Sequence, residues 1–163
     1  MFGEPTLSLA RRLIDDCRAR ALMIATVESC TGGLIAGAIT AIDGSSAVFE
    51  RGFVTYTNVA KNEMVGVPMG LFERVGAVSE DVARAMAEGA LSHAPVDVAV
   101  AVTGIAGPGG GSAEKPVGLV HIAAARKGHR TEHARHVFAG DRHAVRQATL
   151  DEALRLLTSM VGR

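Results

Sequence analysis

The residues of this chain best suited to covalent chemistry lie in the segment Glu28-Ser-Cys-Thr-Gly-Gly33. A serine hydroxyl attacks a carbonyl carbon only when something removes its proton, and it is best presented from a sharp turn between a strand and a helix. Ser29 follows a continuous apolar run and precedes a helical pattern, which predicts that kind of turn. The backbone N–H groups of Cys30, Thr31, Gly32 and Gly33 would then open the helix and could hold an oxyanion. Lys61 is the candidate base. Its place in the first turn of a helix that Asn58 could cap puts it against the positive end of the helix dipole, and partial desolvation would free its amine near neutral pH. Tyr56, the chain's one tyrosine, ends the preceding strand, where its hydroxyl could bridge Ser29 and Lys61 or orient a substrate. Position alone also suits plainer roles: a helix cap for Ser29, a solvated cation for Lys61, a core or rim aromatic for Tyr56. Cys30 is a rival nucleophile at a helix N-terminus, but no histidine accompanies it in either motif.

A second group of residues could bind rather than react. The run Val96 to Val102 opens into Thr103-Gly-Ile-Ala-Gly-Pro-Gly-Gly-Gly-Ser112, and this glycine-rich loop continues through Glu114 and Lys115 to Gly118. Thr103, Gly104 and Gly107 there could let backbone amides approach a phosphate or ribose, although the pattern matches neither the Walker A nor the dinucleotide fingerprint. Asp141 can cap the last helix, and Arg142 beside it could clamp a phosphate or carboxylate with two parallel bonds. His133 and His136 fall on opposite faces of one strand, which argues against a metal site.

The elements that must position these residues follow from periodicity. Helices are expected over 7–20, 34–42, 58–65, 68–74, 80–93 and from Arg142 onward. Strands are expected over 22–27, 48–56, 96–102, 118–125 and 132–138. Strands alternating with helices predict an α/β domain, a three-layer α/β/α sandwich with a mostly parallel sheet and an antiparallel hairpin near the C-terminus. In such sheets ligands collect at the carboxyl ends of the strands, and Ser29, Tyr56 and Thr103 all fall at such ends.

Composition narrows the function. The chain has 163 residues, the usual size of one domain, with no linker between two. Lys plus Arg and Asp plus Glu both total 17, which argues against a dedicated nucleic-acid binder. Six Lys/Arg residues stand against Glu132 and Asp141 between Arg126 and Arg146, enough for an anionic ligand. No apolar run approaches the length of a membrane span and the N-terminus shows no leader pattern, so a cytoplasmic protein is expected. Cys17 and Cys30 have no metal-type spacing and read as reduced thiols.

Taken together, the segments 25–33, Gly44-Ser-Ser46, Arg51-Gly-Phe-Val-Thr-Tyr56 with Lys61, Gly76-Ala-Val-Ser79, Thr103 to Pro108 and Glu114 to Gly118 resemble the CinA C-terminal domain family. These are the nicotinamide-nucleotide amidohydrolases. The resemblance implies hydrolysis of the carboxamide of nicotinamide mononucleotide, with Ser29 as nucleophile, Lys61 as general base and Tyr56 assisting. It implies substrate contacts from Thr103, the glycine loop and Arg142, no metal or cofactor, and a homo-oligomer. The family also includes members named for competence or DNA damage. A nucleotide-binding regulatory module without turnover is therefore the alternative.

Overall fold

The computed structural model describes residues 2–163. Its elements run α1 (Glu4–Arg20), β1 (Ile24–Glu28), α2 (Leu34–Thr40), β2 (Phe49–Val54), α3 (Asn58–Val65), α4 (Met69–Val75), α5 (Glu80–His93), β3 (Val98–Gly104), β4 (Leu119–Arg126), β5 (Glu132–Val137) and α6 (Arg142–Val161). The strands form one sheet in the order β2-β1-β3-β4-β5. β1 pairs in parallel with β2 and β3, while β4 runs antiparallel to both β3 and β5. The expected α/β/α sandwich and its C-terminal hairpin are both present, with most boundaries shifted by one to three residues.

Alternation along the strands sorts the core into two halves. Ile24, Val98, Val100, Val102, Val120 and Ile122 face α1, α2 and α6. Ala25, Val27, Ala99, Ala101, Ala123 and Ala125 face α3, α4 and α5. The second face meets Ala83, Ala87 and Ala90 of α5, so helix and sheet approach closely without aromatic filler, as a chain with only 4% aromatics requires. Packing between helices there is equally close. A Cβ on Gly89 would lie 2.0 Å from the carbonyl oxygen of Val65.

The chain leaves β1 through α2 on one face to reach β2, then returns through α3 to α5 on the other face to reach β3 on the opposite side of β1. This reversal opens a crevice at the carboxyl ends of the central strands. Caps fix the helices that border it. Thr57, rather than the expected Asn58, caps α3 by accepting from the Ala60 N–H at 3.1 Å. Ser79 caps α5 and Asp141 caps α6, as the sequence suggested.

Candidate active site

The turn after β1 is built around a residue the sequence reading passed over. Glu28 is fully buried, and its carboxylate accepts from the Thr31 hydroxyl at 2.7 Å and from the backbone N–H groups of Gly33, Ile35 and Ala36 at 2.8–3.0 Å. An anion at a helix N-terminus satisfies donors that have no partner within the helix. Gly33, at φ +100°, supplies the left-handed step that brings those donors inward. The opposite side of the turn is clamped by Arg146, whose guanidinium donates to the carbonyls of Cys30 (3.1 Å) and Thr31 (2.8 Å). Replacing Glu28 with Ala leaves buried amides unpaired and should cost about 3 kcal/mol or more of unfolding free energy, measurable by urea denaturation.

Held this way, Ser29 projects toward α3. Lys61 is 2% exposed, and its Nζ lies 3.1 Å from Ser29 Oγ, 2.9 Å from the Thr55 carbonyl oxygen and 3.4 Å from that of Tyr56. No carboxylate pairs with it among the described residues. Burial lowers its pKa to about 8. Of the two causes expected from sequence, desolvation is the one that acts: Lys61 is the fourth residue of α3, and its amine turns back to the end of β2. The same contacts accommodate the neutral form. A neutral amine has two N–H groups, and the two carbonyls can take both. The remaining direction faces Ser29, so the lone pair can accept the serine proton.

Of its two expected roles, Tyr56 does not form the bridge. Its hydroxyl bridges neither Ser29 nor Lys61 but accepts from Arg142 at 3.0 Å, and the ring is 56% exposed. Arg142 also donates to the Gly107 carbonyl at 3.0 Å. The tyrosine and arginine thus form a clasp across the mouth of a cavity of about 260 Å³ lined by Ser29, Cys30, Tyr56, Lys61, Thr103 and Arg142, among others. Gly104 lines it too. Thr31, Gly32, Gly33 and Gly107 do not.

Those exceptions have specific causes. The Thr31 side chain and the Gly33 N–H are taken by Glu28, and the Gly32 N–H donates to the Ser29 carbonyl at 3.1 Å. The amides of Cys30 and Thr31 have no acceptor among the described residues, and of the two residues only Cys30 lines the cavity. Cys30 is a poor rival nucleophile because burial pushes its thiol pKa up to about 11. Thr103 lines the cavity while its hydroxyl donates to the Ala77 carbonyl at 2.8 Å.

The glycine loop also braces the cavity wall. Lys115 reaches out of it to donate to the carbonyls of Val75 and Val78 at 2.7 and 2.8 Å. This fixes the link between α4 and α5, whose Ala77 and Val78 form another wall of the cavity. Arg146 and Glu28 were not singled out in the sequence. For Arg146 the available signal was its spacing of four from Arg142, one helical turn along the same face.

A buried serine–lysine pair at the strand ends of an α/β/α sandwich defines the class of site. The chain belongs to the CinA C-terminal domain family, which matches residues 6–161. It is 57% identical over 129 residues to a protein of Enterobacter agglomerans named nicotinamide-nucleotide amidohydrolase PncC, covering 79% of each chain. A Pseudomonas putida protein of the same name is 50% identical over 151 residues, with 93% of this chain and 94% of that one covered. The crystal structure of the competence/damage inducible protein CihA from Agrobacterium tumefaciens superposes with a TM-score of 0.97 at 51% identity, covering 100% of this chain and 99% of that one. Against other curated relatives the chain spans much less of their length, 36% of one CinA-like protein and 40% of a competence-damage protein.

Proposed function

We propose that the described chain is one amidohydrolase unit that hydrolyses the carboxamide of nicotinamide mononucleotide to nicotinate mononucleotide and ammonia. The observation that carries this reading is the 3.1 Å contact between the buried, uncompensated Lys61 amine and Ser29 Oγ. The names of the E. agglomerans and P. putida relatives supply the substrate.

In this mechanism neutral Lys61 takes the hydroxyl proton as Ser29 Oγ attacks the carboxamide carbon. Charge gathers on the carboxamide oxygen, toward which the Cys30 amide donates. The lysine ammonium then gives its proton to the departing nitrogen, and ammonia leaves an acyl-serine. Water loses a proton to Lys61, attacks the ester carbonyl and releases the acid with the serine restored. Each proton removed is returned within the cycle, and no step requires a metal or cofactor.

The phosphate, remote from the bond broken, supplies binding energy through Arg142. Arg142→Ala should raise KM for the mononucleotide about tenfold or more while leaving turnover of a dephosphorylated substrate little changed, as read by steady-state kinetics. The test of the whole reading is ammonia release when purified protein meets nicotinamide mononucleotide in chelator-treated buffer. Binding without release would leave the alternative, a regulatory nucleotide-binding module.

We further read the enzyme as cytoplasmic and homo-oligomeric. Both cysteines are free and buried, which suits a reducing compartment; among the described residues no helix is long and apolar enough to cross a membrane. Val54, Tyr56, Val59 and Met64 leave apolar surface exposed around β2 and α3, which suits contact with a second copy.

A further inference from the structure

The mechanism leaves unused a series of titratable side chains behind the cavity. His121 on β4 is 8% exposed, and its Nδ1 lies 2.9 Å from His133 Nε2 on β5. His133 Nδ1 in turn lies 3.4 Å from Glu80 Oε2 in the first turn of α5. Glu80 is held from its other side by Arg84, whose Nε donates to Oε1 at 2.8 Å.

These contacts fix the tautomers. The Glu80 carboxylate favours a proton on His133 Nδ1, which leaves Nε2 as an acceptor for the His121 Nδ1–H. With both imidazoles neutral each link has one donor and one acceptor; an imidazolium at His133 donating to both neighbours would satisfy the links too, but burial disfavours that charge. Burial accordingly pushes the pKa of His121 down to about 4, and that of His133 down as well. The charged groups around them are Glu80 and Arg84 on α5, Arg135 and His136 on β5, and Lys115 on the preceding loop.

The series lies one strand away from a residue that lines the reaction cavity. His121 stands directly opposite Thr103 in the antiparallel β3/β4 ladder, so both side chains occupy one face of the sheet. Thr103 lines the cavity and donates to the Ala77 carbonyl. Glu80, at the far end, follows Ser79, and Ala77 and Val78 just before it also line the cavity. The wall made by residues 75–79 is thus tied at one end to β3 through Thr103 and at the other to β4 and β5 through Glu80.

We propose that Glu80, His133 and His121 are positioning residues for the amidase reaction: a strut, with the His121–His133 hydrogen bond at its inner end and the exposed Glu80 carboxylate against His133 at its outer end, that fixes the 75–79 wall of the substrate cavity against the β4/β5 hairpin. The strut touches no reacting atom. Its loss therefore acts on how well substrate fits rather than on bond breaking. This proposal rests on the amidase reading for its kinetic arm but not for its structural one.

The test compares His121→Leu, His121→Asn and His121→Gln in the full chain. An asparagine amide can replace the Nδ1 donor, whereas glutamine places its amide near the Nε2 position. Amide hydrogen exchange over residues 75–82 should rise about tenfold in His121→Leu and His121→Gln and return toward the parent rate in His121→Asn. KM for nicotinamide mononucleotide should follow the same order, rising about fivefold in the Leu variant while kcat stays within about twofold. Unchanged exchange in His121→Leu, or an Asn variant as impaired as the other two, would overturn the strut. If His121→Leu fails to fold, Glu80→Ala, which removes the acceptor of His133, takes its place, with raised exchange expected and unchanged exchange again overturning. Should the parent protein release no ammonia from the mononucleotide, the amidase reading falls and the exchange measurement alone decides the strut.

Discussion

Ser29→Ala is expected to lower kcat for ammonia release from nicotinamide mononucleotide by about 10⁴-fold or more, while the mononucleotide still binds within a few-fold of the parent affinity. Alanine removes only the Oγ that forms the acyl-enzyme. The groups proposed to hold the ligand, namely Arg142 and the Cys30 amide, stay clamped by Gly107, Glu28 and Arg146. Calorimetric titration with the variant should therefore still give a saturable heat. Cys30→Ala makes the matching control. A thiol pushed up to about 11 by burial holds almost no thiolate at neutral pH, so this variant should keep activity within a few-fold. Full activity in Ser29→Ala together with loss in Cys30→Ala would transfer the nucleophile to the neighbouring residue.

The serine and the lysine were legible in the sequence because each sits where a period changes. Ser29 interrupts an apolar run just before helix spacing resumes, and Lys61 lies one turn into a helix that begins directly after a strand. The sheet was legible for the same reason. β3 and β4 are buried over nearly their whole length, so their apolar runs stand out, whereas α6 shows its stripe only over many turns. Side-chain direction is a different matter, since it depends on partners distant in the chain. Tyr56 could be placed at a strand end, but its hydroxyl is claimed by Arg142, 86 residues away. Glu28 opens the expected turn without any pattern that marks it. Its role as the buried anchor of α2 emerges only when the turn folds four donors onto it. His121 lay unnoticed within the apolar β4, because its partners are on β5 and α5 and no local pattern connects them. The bracing role of Lys115 in the glycine loop is equally hidden, because the carbonyls it reaches belong to the α4–α5 link.

Lys61→Met should separate catalysis from stability, because the charge that must be absent for the reaction is also the one that burial disfavours. Methionine fills much of the same volume without an amine, and kcat/KM should fall by about 10³-fold or more through loss of the general base. In the parent, activity should climb with pH and level off above about 8, the value at which burial leaves half of the Lys61 amine neutral. Lys61→Arg cannot follow, since a guanidinium stays protonated throughout that range. The stability consequence has a definite sign. Lys61 has its pKa lowered from 10.5 to about 8 in the folded state, so between those values the unfolded chain binds a proton that the folded chain refuses. Folding of the parent therefore weakens as pH falls from about 10.5 to 8, and the difference stays constant below that window. Lys61→Met lacks this linkage. Losing the Nζ donors leaves the Thr55 and Tyr56 carbonyls short of a partner, which sets a pH-independent offset. Relative to the parent, the variant should gain about 3 kcal/mol of unfolding free energy between pH 10.5 and pH 7, an upper value from the full shift. Urea titrations of both proteins across that range measure it. A gap that does not widen as pH falls would mean that residue 61 stays protonated in the folded protein, and with it the serine would lose its base.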